Sequence, residues 1–451
     1  MLLRATEIAR AVRGELVHGD PNVEISGVVI DSRLVCGGEL FVPIVAERDG
    51  HQFIGAAVHA GASLVLTSRR DLDTIASAIA VDDTSAALLD LGRYVRTRLP
   101  DRVVGITGSV GKTSVKDLTA AALRAGLGVD AVQASPRSFN NELGVPLTLA
   151  NAPDEVEAVV VEMGARGRGH IAMLCDVAHP TIGIVTTVAL AHAEMFGTID
   201  EVAAAKGELV AALPSSGTAV LNGDHPLVAA MANRTAARVV TFGVDSPGID
   251  VTASAISIDD ELRASFRLHS PWGGADVRLA VRGVHQVMNA LAAATGAMAC
   301  GVEPELVASG LNTAVLSPWR MELERAASGA LVLNDAYNAN PTSMDAALGS
   351  LAALPAQRRI AVVGLMAELG PDGPRAHRRV AAHAATEGIE LIAVDVDLYG
   401  VEPVAGVQGA LRALAARGAP AAGDAILVKG SRVAGLERVA TALLRPEGSP
   451  S

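Results

Sequence analysis

The chain has 451 residues, enough for two to four domains with sizeable cores. Half of the residues are apolar but only 2% are aromatic, so the cores must be built from Ala, Val, Leu and Ile, which suits helices packed on parallel sheets. The net charge of −12 excludes a general nucleic-acid binder, whose footprint would be a basic patch, and no apolar run approaches the roughly 20 residues of a membrane span.

The start, residues 1–13, predicts an amphipathic helix with interspersed charge and lacks the layout of an export signal. Up to about Pro100 the pattern alternates short strands (27–30, 40–44, 63–67) with helical stretches and closes on a helix over 86–99. A second block opens with a strand over 103–106 and a helix over 114–125, and continues through apolar runs at 159–161 and 182–185 of the kind buried in parallel sheets. A helix over 199–213 follows, then an alternating, antiparallel patch within 251–281 and a helix over 286–300. A third block repeats strand and helix, with strands at 331–333, 360–363, 391–394 and 426–428, the spacing of a doubly wound sheet. Leu99-Pro100-Asp101 and Ser317-Pro318 read as hinges. Cys36, Cys175 and Cys300 are too scattered for a disulfide framework or a metal knuckle, which favours buried thiols in a cytoplasmic enzyme.

Between the strand at 103–106 and its helix lies Thr107-Gly108-Ser109-Val110-Gly111-Lys112-Thr113. Strand, glycine loop and helix start come in the order that aims backbone amides and a helix N-terminus at one anion. Lys112 would reach the β and γ phosphates of a nucleotide and the Thr113 hydroxyl would hold Mg²⁺. The run departs from G-x-x-x-x-G-K-[ST], because Ile106 takes the first glycine position and Gly108 is extra.

Only four lysines occur, Lys112, Lys116, Lys206 and Lys429, while the other 33 of the 37 basic residues are arginine. A lysine in such a chain marks a place where a guanidinium does not serve, since an amine can lose its proton and react. Lys206, on a predicted helix near bound Mg²⁺, could take up CO₂ as a carbamate and become an anionic metal ligand; the alternative is a solvated helix face beside Glu201 or Glu208. Glu162 follows the 159–161 strand, where an α/β sheet places its ligands, and could complete a Mg²⁺ shell with Thr113; it could also cap the next helix. His192, past the 182–185 strand, could reach the same crevice or lie solvated in its loop.

These residues carry a resemblance. Thr107 to Lys116, Asn140-Asn141-Glu142-Leu143-Gly144-Val145-Pro146, Val161 to Ala165, Ala205-Lys206-Gly207-Glu208, Asn334-Asp335-Ala336-Tyr337-Asn338-Ala339-Asn340-Pro341, Met366 to Gly370 and Val428 to Arg432 resemble the Mur ligase family, across all three blocks. The Asn-Asn-x-x-Gly-Val-Pro and Tyr-Asn-Ala-Asn-Pro runs resemble the branch that joins D-alanyl-D-alanine to UDP-N-acetylmuramoyl-tripeptide in peptidoglycan synthesis. The resemblance implies three α/β domains: a small UDP-binding domain over 1–99, a central P-loop ATPase-like parallel sheet with an antiparallel patch over 100–316, and a Rossmann-like domain over 317–451. It implies that Gly108 to Ser114 cradle ATP, that Asn289, Arg320 and Asp335 contact the nucleotide, and that Thr113 and Glu162 hold magnesium. His192 would border the metal site, and a carbamylated Lys206 would serve the second magnesium. Asp31-Ser32-Arg33 and Glu47-Arg48-Asp49-Gly50-His51 resemble the part that holds the UDP-sugar, while Asn140, Asn141, Asn338 and Asn340 would line the substrate site. A monomer with no nucleic-acid partner and no membrane span is expected.

Two departures from the family are visible: Gln286 stands where asparagine is common, and the 394–422 stretch is compact. A sister ligase or a folylpolyglutamate synthetase would share the loop and the lysine, but the chain has no Asp-Asn-Pro-Arg motif. A switch GTPase would need Asn-Lys-x-Asp, and the residues before the four lysines are Gly, Val, Ala and Val. A catalytically dead relative would not retain Lys112, Thr113, Glu162 and Lys206 together.

Overall fold

The computed structural model describes residues 2–69, 77–189 and 196–445. Its central sheet has six parallel strands in the order Arg238–Phe242, Thr218–Asn222, Ile182–Val185, Val103–Thr107, Ala158–Glu162, Val132–Ala134. Every residue of Val103–Thr107, Ala158–Glu162 and Ile182–Val185 is buried, because helices cover both faces and a polar side chain would meet no water on either. The chain first builds one side of Val103–Thr107 and then, from Ile182, the other, so the strand order reverses there. In an open α/β sheet that is where a ligand crevice forms. The antiparallel patch appears as Thr252–Ile258, Arg263–Ser270 and Gly273–Arg282.

The first block holds a five-stranded sheet, in the order Glu15–His18, Ser77–Ala80, Leu64–Thr67, Leu40–Phe41, Val28–Val29, parallel except for Glu15–His18. The third block's sheet runs Glu322–Arg325, Leu331–Asn334, Asp424–Lys429, Arg358–Val363, Glu390–Ala393, with an antiparallel first edge. The expected doubly wound alternation is present, with one strand, Glu322–Arg325, that the sequence pattern did not disclose.

Three local expectations are corrected. The chain starts with a short strand, Leu3–Arg4, paired antiparallel to Glu24–Ile25, and the helix is confined to Ala5–Ala11. Burial of Leu3 against Ile25, each 1% exposed, outweighs the helical periodicity. Cys36 is exposed rather than buried, whereas Cys175 and Cys300 are buried as expected. Glu162 is the last residue of its strand rather than the residue after it.

The two seams between blocks differ in kind. One apolar cluster runs without a break from Leu3, Ile8 and Leu64 through Leu88 and Leu91 into Val145, Leu147 and Val177 of the second block. The third block has clusters on either face of its sheet, one of which also takes in Leu262 of the second block.

Candidate functional site

The phosphate loop is held open by two glycines that no other residue can replace. Gly108 has φ 150° and a Cβ there would fall 1.9 Å from Thr186 Oγ1; Gly111 has φ 86° and a Cβ would fall 2.6 Å from Asn289 Oδ1. The loop docks on the segment after Ile182–Val185. Ser109 N–H donates to Thr187 O (2.9 Å), Ser109 Oγ to Ala189 O (2.9 Å), Val110 N–H to Thr187 Oγ1 (3.1 Å) and Thr186 Oγ1 to Val110 O (2.6 Å). With those groups paired, the anion site is left to the start of helix Lys112–Leu127, whose N-terminus carries no side-chain cap. Ser114 is buried in its first turn.

Lys112 Nζ folds back to donate to Gly108 O at 2.8 Å. Burial lowers its pKa, Glu162 opposes the shift, and Arg320, arriving from the third block, adds to it. Thr113 Oγ1 donates to Glu162 Oε2 at 2.7 Å, and Asn140 Nδ2 donates to Glu162 Oε1 at 2.8 Å. Glu162 is only 1% exposed, so its carboxylate is fixed at the carboxyl end of the sheet beside the loop helix. Asn140 is thus tied to the same carboxylate as Thr113, while the Asn141 side chain accepts from Leu143 and Gly144 N–H and starts the helix Gly144–Ala150.

Lys206 sits in helix Ile199–Ala211 and is 5% exposed. The two helix carboxylates nearest it in sequence, Glu201 and Glu208, are engaged elsewhere. Glu201 binds Arg168 at 2.6 Å, and Glu208 accepts from Gly169 N–H (2.7 Å) and Ala172 N–H (3.0 Å) at the start of helix His170–Ala178. Among the described residues its amine has no hydrogen-bond or ion-pair partner. Burial, reinforced by the Lys112 cation, drives its pKa well below the usual lysine value.

A cleft of about 490 Å³ joins these groups to the third block. Gly108, Ser109, Lys112, Asn140, Asn141 and Lys206 form one wall, and Tyr337, Glu368 and Arg432 face them. Tyr337 OH hydrogen-bonds Ser138 Oγ across the cleft, and the Arg320 guanidinium stacks 4.3 Å from the Tyr337 ring. Trp319 and Met321, flanking Arg320, both have left-handed backbones (φ 62° and 53°), a costly conformation that fixes how Arg320 enters. Asp335 pairs with Lys429 and accepts from Met321 N–H (3.2 Å), so it braces this entry.

The other sequence-predicted residues lie outside that wall. Asn289 Nδ2 donates to Gln286 Oε1 at 2.8 Å, behind Gly111. Asn338 lends its carbonyl to Lys429 (2.9 Å), and the Asn340 side chain caps helix Pro341–Ala353 through Ser343 N–H (2.9 Å). Asp31 pairs with Arg33 and caps the turn Ser32–Leu34; none of the three lines the cleft. His192 falls outside the described residues. Sequence reasoning missed Ser138, Arg166, His170 and Phe196 as lining residues. Tyr337, Glu368 and Arg432 stood in family-like runs without an assigned role, whereas Arg166 and His170 stood in none.

A phosphate loop at the reversal point of a parallel sheet, roofed across a polar cleft by a second doubly wound block, defines a nucleotide-using P-loop enzyme. The model of the Mur ligase middle domain matches residues 106–297, and that of the Mur ligase, glutamate ligase domain matches residues 319–432. The UDP-N-acetylmuramoyl-tripeptide–D-alanyl-D-alanine ligase of Mycobacterium tuberculosis is 38% identical over 98% of this chain and 98% of its own length. The Escherichia coli enzyme of the same name is 36% identical over 97% of each. Among solved structures, MurF from Acinetobacter baumannii aligns with TM-score 0.87 and 28% identity over 98% of this chain and 99% of its own. MurF ligase from Thermotoga maritima in complex with ADP aligns with TM-score 0.79 and 26% identity over 92% and 96%. The chain belongs to the Mur ligase family.

Proposed function

We propose that this protein is the ATP-dependent, ADP-forming ligase that joins D-alanyl-D-alanine to UDP-N-acetylmuramoyl-tripeptide, giving the pentapeptide precursor of peptidoglycan. The observation that carries the reading is the meeting of Lys112 and the buried Lys206 in one cleft, beside Thr113 bonded to Glu162. The relatives of that name, similar over nearly the whole chain, support the choice of substrates.

An amide cannot form directly from a carboxylate in water, because a carboxylate is a poor electrophile. The terminal carboxylate oxygen of the tripeptide therefore attacks the γ-phosphorus of ATP, and the bond to ADP breaks. The D-alanyl-D-alanine amine then attacks the carbonyl of the acyl phosphate, loses a proton, and phosphate leaves. Phosphoryl transfer needs alignment and charge neutralisation more than covalent help. Lys112 and Arg320 supply cations from the two sides of the cleft, and the uncapped amides of helix Lys112–Leu127 hold phosphate oxygens. Tyr337 and Arg320 close the third block over the loop and keep water from the acyl phosphate.

Magnesium fits the donors present. Thr113 Oγ1 and the Glu162 carboxylate are hard oxygens, and a protein shell this sparse suits an ion that completes its coordination with phosphates and water. The ion would neutralise charge on the transferring phosphate. Lys206 has the chemistry to become a carbamate and serve a second magnesium. His192 would border that site. Asp31, Ser32 and Arg33 would hold the UDP-sugar in the domain over 1–99, Asn140, Asn141, Asn338 and Asn340 the peptide, and Asn289 and Asp335 the nucleotide. The domains over 100–316 and 317–451 would close around them. We read the protein as a cytoplasmic monomer, as expected from the sequence; no helix among the described residues is long and apolar enough to cross a membrane.

Incubation with ATP, Mg²⁺, D-alanyl-D-alanine and UDP-muramoyl-tripeptides ending in diaminopimelate or lysine tests the reading. Pentapeptide scored by mass, with stoichiometric ADP, is expected; no pentapeptide from either substrate overturns it. A fully active Lys206→Arg variant would remove the carbamate, since a guanidinium cannot bind CO₂.

A further inference from the structure

A second cavity, of about 680 Å³, shares no lining residue with the catalytic cleft. It lies between helix Lys112–Leu127, helix Pro304–Thr313, the 134–137 loop and the linker at 314–317 that leads into the third block. Lys116 and Asp117 stand at its inner end. Lys116 Nζ donates to Ser135 O and Arg137 O, both at 2.8 Å, and pairs with Asp117 Oδ1 at 2.7 Å. Three acceptors around one ammonium match its three tetrahedral donors, which a planar guanidinium would not; this accounts for a lysine in an arginine-rich chain. The other Asp117 oxygen accepts Ser317 N–H at 2.7 Å, so the pair ties the loop to the linker.

Two further cations line this cavity. Arg124 is half-buried, its Nε is buried without a partner among the described residues, and its Nη2 hydrogen bond to Val132 O is long at 3.4 Å. Arg137 is exposed, and its guanidinium has no partner among the described residues. Because Lys116 and Asp117 cancel, the lining carries two uncompensated guanidinium charges in a protein of net charge −12. The rest of the wall is mostly small and apolar, including Ala120, Ala121, Ala314 and the 83%-exposed Val315. Two cations lining a mostly apolar cavity of this volume suit a small amphiphilic ligand.

We propose that this cavity is a regulatory site for a small organic anion, a phosphate or carboxylate carried on an apolar body, held by Arg124 and Arg137. Its occupant is coupled to catalysis by covalent continuity. The loop that supplies Ser135 and Arg137 to Lys116 goes on to place Ser138 on Tyr337 and Asn140 on Glu162. Ser317, held by Asp117, is three residues from Arg320. An anion that draws in Arg137 and packs on Val315 therefore shifts both the cleft loop and the linker, and nucleotide affinity with them.

Phenyl phosphate is a suitable probe, titrated by calorimetry into protein saturated with ADP and Mg²⁺ so that the phosphate loop is already filled. One saturable site is expected. The Arg124→Gln/Arg137→Gln variant should bind at least about tenfold more weakly, since a charge-assisted hydrogen bond is worth that much or more. The exposed Arg137→Gln alone, with an unchanged melting temperature, should show a partial loss and guards against misfolding of the double variant. Benzyl alcohol and inorganic phosphate should each bind more weakly than phenyl phosphate, separating the apolar body from the anion. Absence of saturable binding, or equal binding by the double variant, overturns the site. In the parent enzyme phenyl phosphate should alter ADP affinity severalfold, with the reciprocal effect of ADP on the probe; ADP affinity that stays constant overturns the coupling.

Discussion

Between the first and second blocks, helix Thr84–Arg96 shares one apolar core with helices Gly144–Ala150 and His170–Ala178. Between the second and third blocks, the cleft is crossed by polar and cationic contacts. At the first seam Gly92 packs so closely that a Cβ would fall 2.7 Å from Pro146 Cβ. Arg96 donates to Ala178 O (2.7 Å) and His179 O (3.2 Å), and Asn151 pairs its amide with both Val28 N–H and Val28 O. Opening such a seam would expose buried Leu88, Leu91 and Val177 to water, whereas opening the second mainly exchanges protein hydrogen bonds for hydration, with Leu262 its buried apolar contact. The first seam therefore acts as a floor and the third block as a roof over the cleft, and any closure is expected at the second seam. Of the two hinges expected from Leu99-Pro100 and Ser317-Pro318, the former lies within the continuous core of the first two blocks and the latter beside the polar cleft.

The largest expected effect concerns the roof. Lys112→Ala should lower ligation by about 100- to 1,000-fold, the cost of deleting one charge-stabilising donor, with an unchanged circular dichroism spectrum. Undiminished turnover would refute the phosphate-loop assignment. The floor should respond in the opposite way. Leu91→Ala, at a fully buried position, should reduce stability by about 2–5 kcal/mol in urea unfolding while leaving turnover per folded molecule near the parent value. A variant that keeps its stability would show that the shared core is not what joins the blocks.

Tyr337→Phe sharpens the contrast, since it deletes only the hydroxyl that reaches Ser138. A loss of about 0.5–1.5 kcal/mol is expected for one hydrogen bond, read as a several-fold lower kcat/KM with the urea midpoint unmoved. With ATP analogue and UDP-muramoyl-tripeptide bound, amide exchange around 319–322 should slow while that of Thr84–Arg96 stays constant. Slowing confined to Thr84–Arg96 would reverse the roles of the two seams.

The smallest effect is thermodynamic. The folded-state pKa of Lys206 lies well below its ordinary value of 10.5, so between the two values the unfolded chain holds a proton that the native protein lacks. Stability then rises with pH through that window, and burial of this lysine costs stability at neutral pH. Lys206→Met should be inactive yet melt higher than the parent at pH 7 in CO₂-free buffer, with the gain shrinking as pH approaches 10.5. A lower melting temperature at pH 7 would mean that the lysine is paired and charged.

The sequence alone determined the phosphate loop, the buried parallel strands around it, and the unusual status of the four lysines. Each of these follows from local chemistry: glycines where φ must be positive, β-branched runs where both faces are covered, and amines where guanidiniums fail. It did not disclose that Leu3–Arg4 leave the helix for a strand, because the partner, Ile25, is some 20 residues away. Nor could it tell whether Lys206 is buried or lies on a solvated helix face. Its burial, with Glu208 taken up by the amides of Gly169 and Ala172 and Glu201 by Arg168, depends on groups 30 to 40 positions away in the chain. Only the tertiary structure brought Arg320 and Tyr337 over the loop and fused the first two blocks into one core. Isolation of a charge and continuity of a core depend on which distant groups arrive, and a pattern of neighbours along the chain carries no record of that.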